Sequence, residues 1–393
     1  MSMLGLTLAY LRQRPLTTLL NTLLLALGVA TVVALLLFAA QLRDRLARDA
    51  KGIELVVGAK GSPLQLVLSA VYHADIPTGN IRIDDAEALL SHPQVRLAVP
   101  LALGDSIQGL RIVGTDHRYP ALYGAALDAG RLWQAPFEAT LGATAARRLG
   151  LTVGDHFESA HGLAPGGPGH DEHYQVVGIL TPTGTVIDRL VLTAVESVWE
   201  AHADHPLAPG EEAREITALL LAFTSPIAAM TLPRAINQTT PMMAASPAFE
   251  TARLFALLGV GLDMLYGFGA LLIASAGLGL LVALGNALER RRADLALLRC
   301  LGAPPRWILG QLMLEGLLLT AAGLLLGLLL GHAAVELLGR LLPQARDLGL
   351  SGALVLRDEL WLVAGALALG ALAALPAAWR AYRSDVARTL AIG

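Results

Sequence analysis

The chain has 393 residues, of which 54% are hydrophobic and only 16% charged, with a mean hydropathy of +0.57 and a net charge of -3. Soluble domains carry about 25% charged residues, so a wholly soluble chain, a disordered tail, a collagen and a coiled coil are excluded, as is a nucleic-acid binder built on a basic face. A single cysteine, Cys300, excludes a disulfide scaffold and a cysteine-rich zinc site.

In chain order, Pro15–Leu42 contains no Asp, Glu, Lys or Arg. It predicts a first membrane helix over 17–41, because about 20 apolar residues cross roughly 30 Å of hydrocarbon. The run exceeds the roughly 7–15 apolar residues of a cleaved signal peptide, so an anchor is expected. Next, residues 42–255 return to a soluble balance, with 23 acidic and 16 basic residues between 43 and 253. Short β-like runs at Ile53–Val57, Leu110–Val113, Tyr174–Leu180, Arg189–Thr193 and Ala218–Phe223 are divided by turn signals. Helical stretches intervene at Asp84–Leu90 and Gly142–Leu149, the second with Gly150 as its C-cap. Gly162–Gly169 and Ala203–Glu211 read as loops. Three further apolar runs predict membrane helices over 257–286, 309–335 and 360–380. Asp263 and Glu315, the charges within them, are expected near the membrane interface. The expected fold is four transmembrane α-helices with a large periplasmic α+β domain inserted between helices 1 and 2.

Charge sets the orientation. Met1–Arg14, Glu289–Arg306 and Arg380–Gly393 carry ten arginines against Glu289, Asp294 and Asp385. The positive-inside rule then expects 1–16, 287–308 and 381–393 to be cytoplasmic and 42–255 and 336–359 to be outside. In the third helix Gly323, Gly327 and Gly331 recur every four residues, a ridge that lets another helix approach closely. Packing inside the bundle and a dimer seam both fit it.

The chemistry is sparse. There is no P-loop, no His-Glu-x-x-His, no Gly-x-Ser-x-Gly and no dinucleotide fingerprint, so no enzymatic activity and no ATP site of its own are expected. Nine of ten histidines lie in the outer domain. His161, His170 and His173 flank the Gly/Pro loop together with Asp171 and Glu172, and imidazoles beside carboxylates suit Zn²⁺. The other reading of this set is a solvated polar loop. His202 and His205, with Asp204, form a weaker second cluster, and His73 reads as structural.

The run Glu289-Arg290-Arg291-Arg292-Ala293-Asp294-Leu295-Ala296-Leu297-Leu298-Arg299-Cys300-Leu301-Gly302-Ala303, followed by Glu315-Gly316, resembles the segment between the second and third helices of FtsX-like permeases, the MacB and LolC/LolE family of ABC transporters. Leu141–Asp155 is similar to a signature of that family's periplasmic domain, and Pro376–Ala381 through Asp385 and Leu390 fits its C-terminus. The family's usual Glu-Arg-x-Arg-Glu-Ile is here replaced by a run ending in Ala293-Asp294-Leu295. Only about sixteen residues precede the first helix, so a separate rather than a fused ATPase is expected. The stretch from Val56 to Ile81 resembles a subgroup of stand-alone permeases of undefined cargo.

The resemblance implies a mechanotransmission permease, working as a homodimer or heterodimer, that couples hydrolysis by a cytoplasmic ABC ATPase to its periplasmic domain. ATP and Mg²⁺ would belong to that partner. The coupling set it implies is Glu289, Arg290, Arg292, Leu295, Leu298, Arg299, Leu301 and Gly302. Leu295, Leu298 and Leu301 fall three apart and are expected to dock in a groove of the ATPase, with arginines facing acidic residues or anionic membrane lipid. A periplasmic binding protein or lipoprotein is a further possible partner. Two alternatives stand beside it: zinc-linked uptake or metalloprotein delivery through the histidine-rich loop, and a membrane scaffold regulating an envelope hydrolase.

Overall fold

The computed structural model describes residues 2–162, 169–202, 214–342, 345–346 and 348–383. The chain forms two compact units, Met1–Leu42 with Leu258–Gly393, and Arg43–Leu257. A short helix, α1 (Met3–Arg12), is capped by Ser2, whose hydroxyl accepts from the Gly5 N–H, and leads into α2 (Pro15–Asp49).

The unit Arg43–Leu257 is a mixed α/β domain. Its ten-stranded sheet comprises β1 (Leu55–Ala59), β3 (Val95–Ile107), β4 (Leu110–Thr115), β5 (Leu127–Gly130), β6 (Glu138–Leu141), β7 (His156–His161), β8 (Gly169–Leu180), β9 (Val191–Ala194), β11 (Ala218–Phe223) and β12 (Met242–Ala245). The order is β12-β1-β11-β3-β4-β9-β6-β8-β5, and β7 pairs with both β3 and β8. A separate pair joins β2 (Ile81–Arg82) to β10 (Glu215–Ile216). Pairing is antiparallel except for β4 with β9 and β6 with β8. Helices α3 (Pro63–Ala70), α4 (Ile83–Leu90), α5 (Arg118–Leu122), α6 (Ala143–Leu149), α7 (Val195–Ala201) and α8 (Pro226–Thr239) fill the connections. The cap of α6 is Gly150, at φ +69°, the left-handed turn that a residue without Cβ takes without strain.

Both faces of the sheet are covered over β1 and β11, and these two strands are apolar throughout. Val56, Leu101 and Leu220 enter one core with Leu66, Val67 and Leu192. Their strand neighbours Leu55, Val57, Leu219 and Leu221 enter the other with Leu232 and Ile236 of α8. Successive residues of a strand point to opposite faces, and here both faces are dry.

The second unit continues with α9 (Pro247–Arg290), α10 (Arg292–Cys300), α11 (Pro305–Leu341) and α12 (Asp358–Tyr382). Among the described residues, four helices, α2, α9, α11 and α12, are long and apolar enough to cross a membrane. Each overruns at both ends the limits expected from charge. Uncharged runs mark what can sit in hydrocarbon, whereas a helix continues as long as its backbone bonds do. By their bounds, α2 and α9 contribute residues to both units.

Glycines set the spacing of the bundle. A Cβ added at Gly323, Gly327 or Gly331 would meet Leu25, Val29 or Val33 of α2 at 2.9, 2.6 and 2.8 Å. The α11 ridge is therefore occupied by a helix of the same chain. On the facing side, Gly316 lies against Ala374 and Gly370 against Thr320, where added Cβ atoms would come to 2.7 and 2.0 Å. By contrast, Gly259, Gly261 and Gly267 of α9 have open space beside them. In the C-terminal third of α11, His332 Nδ1 lies 2.7 Å from the Gly352 carbonyl and Nε2 3.1 Å from Glu359. Glu336 accepts the Gly352 N–H at 2.9 Å and Gln41 accepts the Ser351 N–H at 2.8 Å, so this histidine helps anchor the loop into α12.

Candidate functional site

The arginine-rich segment starts where α9 stops. Arg291, between α9 and α10, is buried and donates to both carboxylate oxygens of Glu315 on α11, at 3.0 and 3.4 Å. Its guanidinium carbon lies 3.7 Å from the ring centroid of Tyr10 on α1. Glu315 is buried between the helices of the bundle, where a lone carboxylate would be costly and a paired one is tolerated. Asp263 is exposed on the surface of α9.

Around Arg291 the side chains sort by helix phase. Leu295 is buried against Leu288, Ile308, Leu312, Ala378 and Ala381, and Leu298 packs partly against the same cluster. Leu301 is 85% exposed and Leu297 55% exposed. The expectation that Leu295, Leu298 and Leu301 form one outward docking face is therefore corrected. Spacing of three holds a common face only within a continuous helix, and α10 ends at Cys300, one residue short of Leu301. Gly302 follows at φ +99°, a backbone region that favours glycine, and turns the chain toward α11. Arg290 and Arg292 are exposed, and Arg292 pairs with Glu289 on the surface. Arg299 is half-buried. The outward set is thus Glu289, Arg290, Arg292, Ala293, Asp294, Leu297, Cys300, Leu301 and Gly302.

The histidines regroup. His173 Nε2 lies 3.3 Å from Glu158 Oε1 on the neighbouring strand, both exposed. The side chain of His170 lies outside the described residues, as do Asp204 and His205. His161 instead faces Asp105 of β3, with Nδ1 3.5 Å from Oδ1, and His202, at the end of α7, brings Nε2 to 3.6 Å from the same oxygen. The two rings are 5.0 Å apart. One histidine from each sequence cluster thus meets at a carboxylate not singled out from sequence. Its signal was a lone charged residue, after Gly104, within the mostly apolar run Leu101–Ile107.

His73 is a buried, internally bonded residue, its Nε2 2.9 Å from the Tyr119 hydroxyl. Burial, with Arg111 and Arg189 nearby, pushes its pKa well below the ordinary histidine value.

Four helices of membrane-crossing length, with a mixed α/β domain between the first and second, define a multi-pass membrane protein built around a large inserted domain. Residues 18–230 match the MacB-like periplasmic core domain and residues 266–386 the C-terminal domain of FtsX-like permeases. The chain belongs to the FtsX/MacB family of ABC transporter permeases, which work with a cytoplasmic ATPase. Similar solved structures include the periplasmic region of MacB from Actinobacillus actinomycetemcomitans, 12% identical over 52% of this chain and 95% of that one, TM-score 0.35. The extracellular domain of the ABC-type transporter YknZ from Gram-positive bacteria is 12% identical over 49% and 99%, TM-score 0.32. A domain of a permease protein from Porphyromonas gingivalis is 14% identical over 48% and 80%, TM-score 0.27. A search of curated proteins found no match to the chain.

Proposed function

We propose that this permease is of the mechanotransmission type: a separate cytoplasmic ATPase docks on α10, and its ATP-driven closure is relayed to the domain between α2 and α9. The observation that carries this reading is the sorting of α10, with Leu297 and Leu301 exposed among arginines while Leu295 and Arg291 lock the segment to the bundle. Exposed leucines beside fixed positive charge suit a partner groove with an acidic rim. Because Arg291 joins α10 to Glu315 of α11 and Tyr10 of α1, a push on α10 is delivered to two other helices rather than to a loose loop.

Two cavities between the bundle helices hold about 20 Å³ each, room for one water and not for a cargo molecule. That supports relay of movement rather than passage through the bundle. The arginine-rich segments and both termini face the cytoplasm in this reading, and ATP and Mg²⁺ bind the partner. Two permease copies, identical or related, pair across the membrane. With the α11 ridge occupied, the open glycines Gly259, Gly261 and Gly267 are their close-approach positions.

The test is purification of the tagged chain from its own membranes with measurement of bound ATPase, identified by its P-loop and ATP hydrolysis. Leu297→Asp and Leu301→Asp are expected to reduce the bound ATPase about tenfold or more, with insertion unchanged. Full ATPase recovery with both variants would contradict the docking surface.

A further inference from the structure

We propose that Asp105, His161 and His202 hold a divalent transition-metal ion of the zinc class on the outer domain. The site is independent of the ATPase-coupling reading, since all three residues lie in the unit Arg43–Leu257.

Distance makes the first argument. One ligand atom from each residue lies within 4.8 Å of the others, with 3.5 and 3.6 Å between the imidazole nitrogens and the shared Asp105 Oδ1. Direct N–H···O bonds run about 2.7–3.2 Å, so both separations are too long for hydrogen bonds. Ligands held about 2.0–2.1 Å from Zn²⁺ at tetrahedral angles lie roughly 3.3–3.4 Å apart. The two separations from Asp105 fit a common cation better than direct pairing.

The second argument is the tautomer. His202 Nδ1 lies 2.7 Å from the Val198 carbonyl of its own helix. Only a protonated Nδ1 bonds to a carbonyl, so in the neutral ring Nε2 carries its lone pair toward Asp105. A lone pair facing a carboxylate oxygen is repulsive until a cation lies between them. Metal-binding histidines are oriented in this way, the far nitrogen donating to a backbone carbonyl.

The third is how firmly the ligands are held. Asp105 and His161 are cross-strand partners on β3 and β7. Between Leu103 and Ser106 the β3–β4 register shifts, a bulge that places Gly104 and Asp105 opposite the single residue Ile112. Bulges re-aim side chains, and here the side chain of Asp105 is withdrawn completely from solvent while Gly104 is exposed. Gly162, next to His161, donates to the Gly104 carbonyl at 2.9 Å and accepts from Ser106 Oγ, which pins the end of β7. Strand and helix positions hold a site more accurately than loops do. The two imidazoles remain 37% and 36% exposed. Two histidines and a carboxylate leave a tetrahedral ion one position open toward water, where a donor from a partner or a substrate can enter.

The experiment uses full-length protein in detergent, stripped with chelator and equilibrated with Zn²⁺, or with Co²⁺ for its absorption spectrum. The wild type is expected to bind about one ion per chain, with tetrahedral Co²⁺ bands. Asp105→Asn, His161→Ala and His202→Ala should each weaken binding by at least about 10–100-fold, while His173→Ala leaves it unchanged. Far-UV circular dichroism and ATPase co-purification of each metal-free variant separate loss of the site from loss of the fold or of coupling. His202→Ala, at a half-exposed helix end, serves where Asp105→Asn fails to fold. Absence of bound ion in the wild type, undiminished binding in a folded His202→Ala, or loss in His173→Ala would overturn the proposal.

Discussion

Arg291 and Glu315 place opposite charges inside an apolar bundle, and their pairing decides the energetics. Removing one partner of a buried pair costs about 3–5 kcal/mol, whereas replacing both with apolar residues of similar volume is near neutral. Glu315→Gln and Arg291→Met should each lower the midpoint of thermal unfolding in detergent, and Arg291→Met/Glu315→Leu should recover most of the loss. A loss in the double variant equal to the sum of the two single losses would show that the two groups are not coupled. His73 gives a pH signature in the outer domain. Burial first, then Arg111 and Arg189, depress its pKa, so the folded protein keeps it neutral where the unfolded chain, near pKa 6.5, takes up a proton. Its contribution is complete above about pH 6.5 and is lost as pH falls below that value. Glu138, held at about 2 by hydrogen bonds from Arg131, loses its contribution only below its ordinary value near 4.5, so the windows are distinct. In metal-free protein the melting midpoint should be level from pH 8 to 7 and fall toward pH 5. His73→Gln should flatten that fall, and an unchanged slope would contradict the assignment.

Elements show what the sequence could reveal and what it hid. Helix α11 packs on α2 through glycines, so Gly327→Leu must displace Val29 and should cost about 1–3 kcal/mol, read as a lower melting midpoint. Gly259→Leu meets open space and should leave the fold intact while weakening dimerisation, measured by mass in detergent. Strand β11 was legible at its true limits, Ala218–Phe223, because a wholly apolar run lies between Thr217 and the turn signal Thr224-Ser225-Pro226. Strand β1 slipped by two residues, Leu55–Ala59 rather than Ile53–Val57. Gly58, just past the expected run, is a packing position inside the strand, where an added Cβ would lie 2.5 Å from Leu66. Strand β7, with sequence His-Phe-Glu-Ser-Ala-His, was missed because only its alternate residues Phe157 and Ser159 are buried. The phase of α10 was hidden for another reason: leucines on both sides leave the inward face undecided until α11 and α12 are in place.

At the scale of the molecule, the division into a membrane bundle and an inserted domain was legible because charge is distributed so unevenly along the chain. The Asp105–His161–His202 cluster was not legible, because its members come from a strand bulge, a strand end and a helix end that only the folded sheet and α7 bring together. The central claim is that hydrolysis by a docked ATPase moves the outer domain. The most direct measurement is the distance distribution between spin labels at Glu87→Cys and Arg357→Cys in a Cys300→Ser background, by electron paramagnetic resonance, with the permease–ATPase complex in lipid nanodiscs. Trapping with ATP and vanadate is predicted to shift the distribution, and Leu301→Asp to abolish the shift. An unchanged distribution while the bound ATPase hydrolyses ATP would contradict the account.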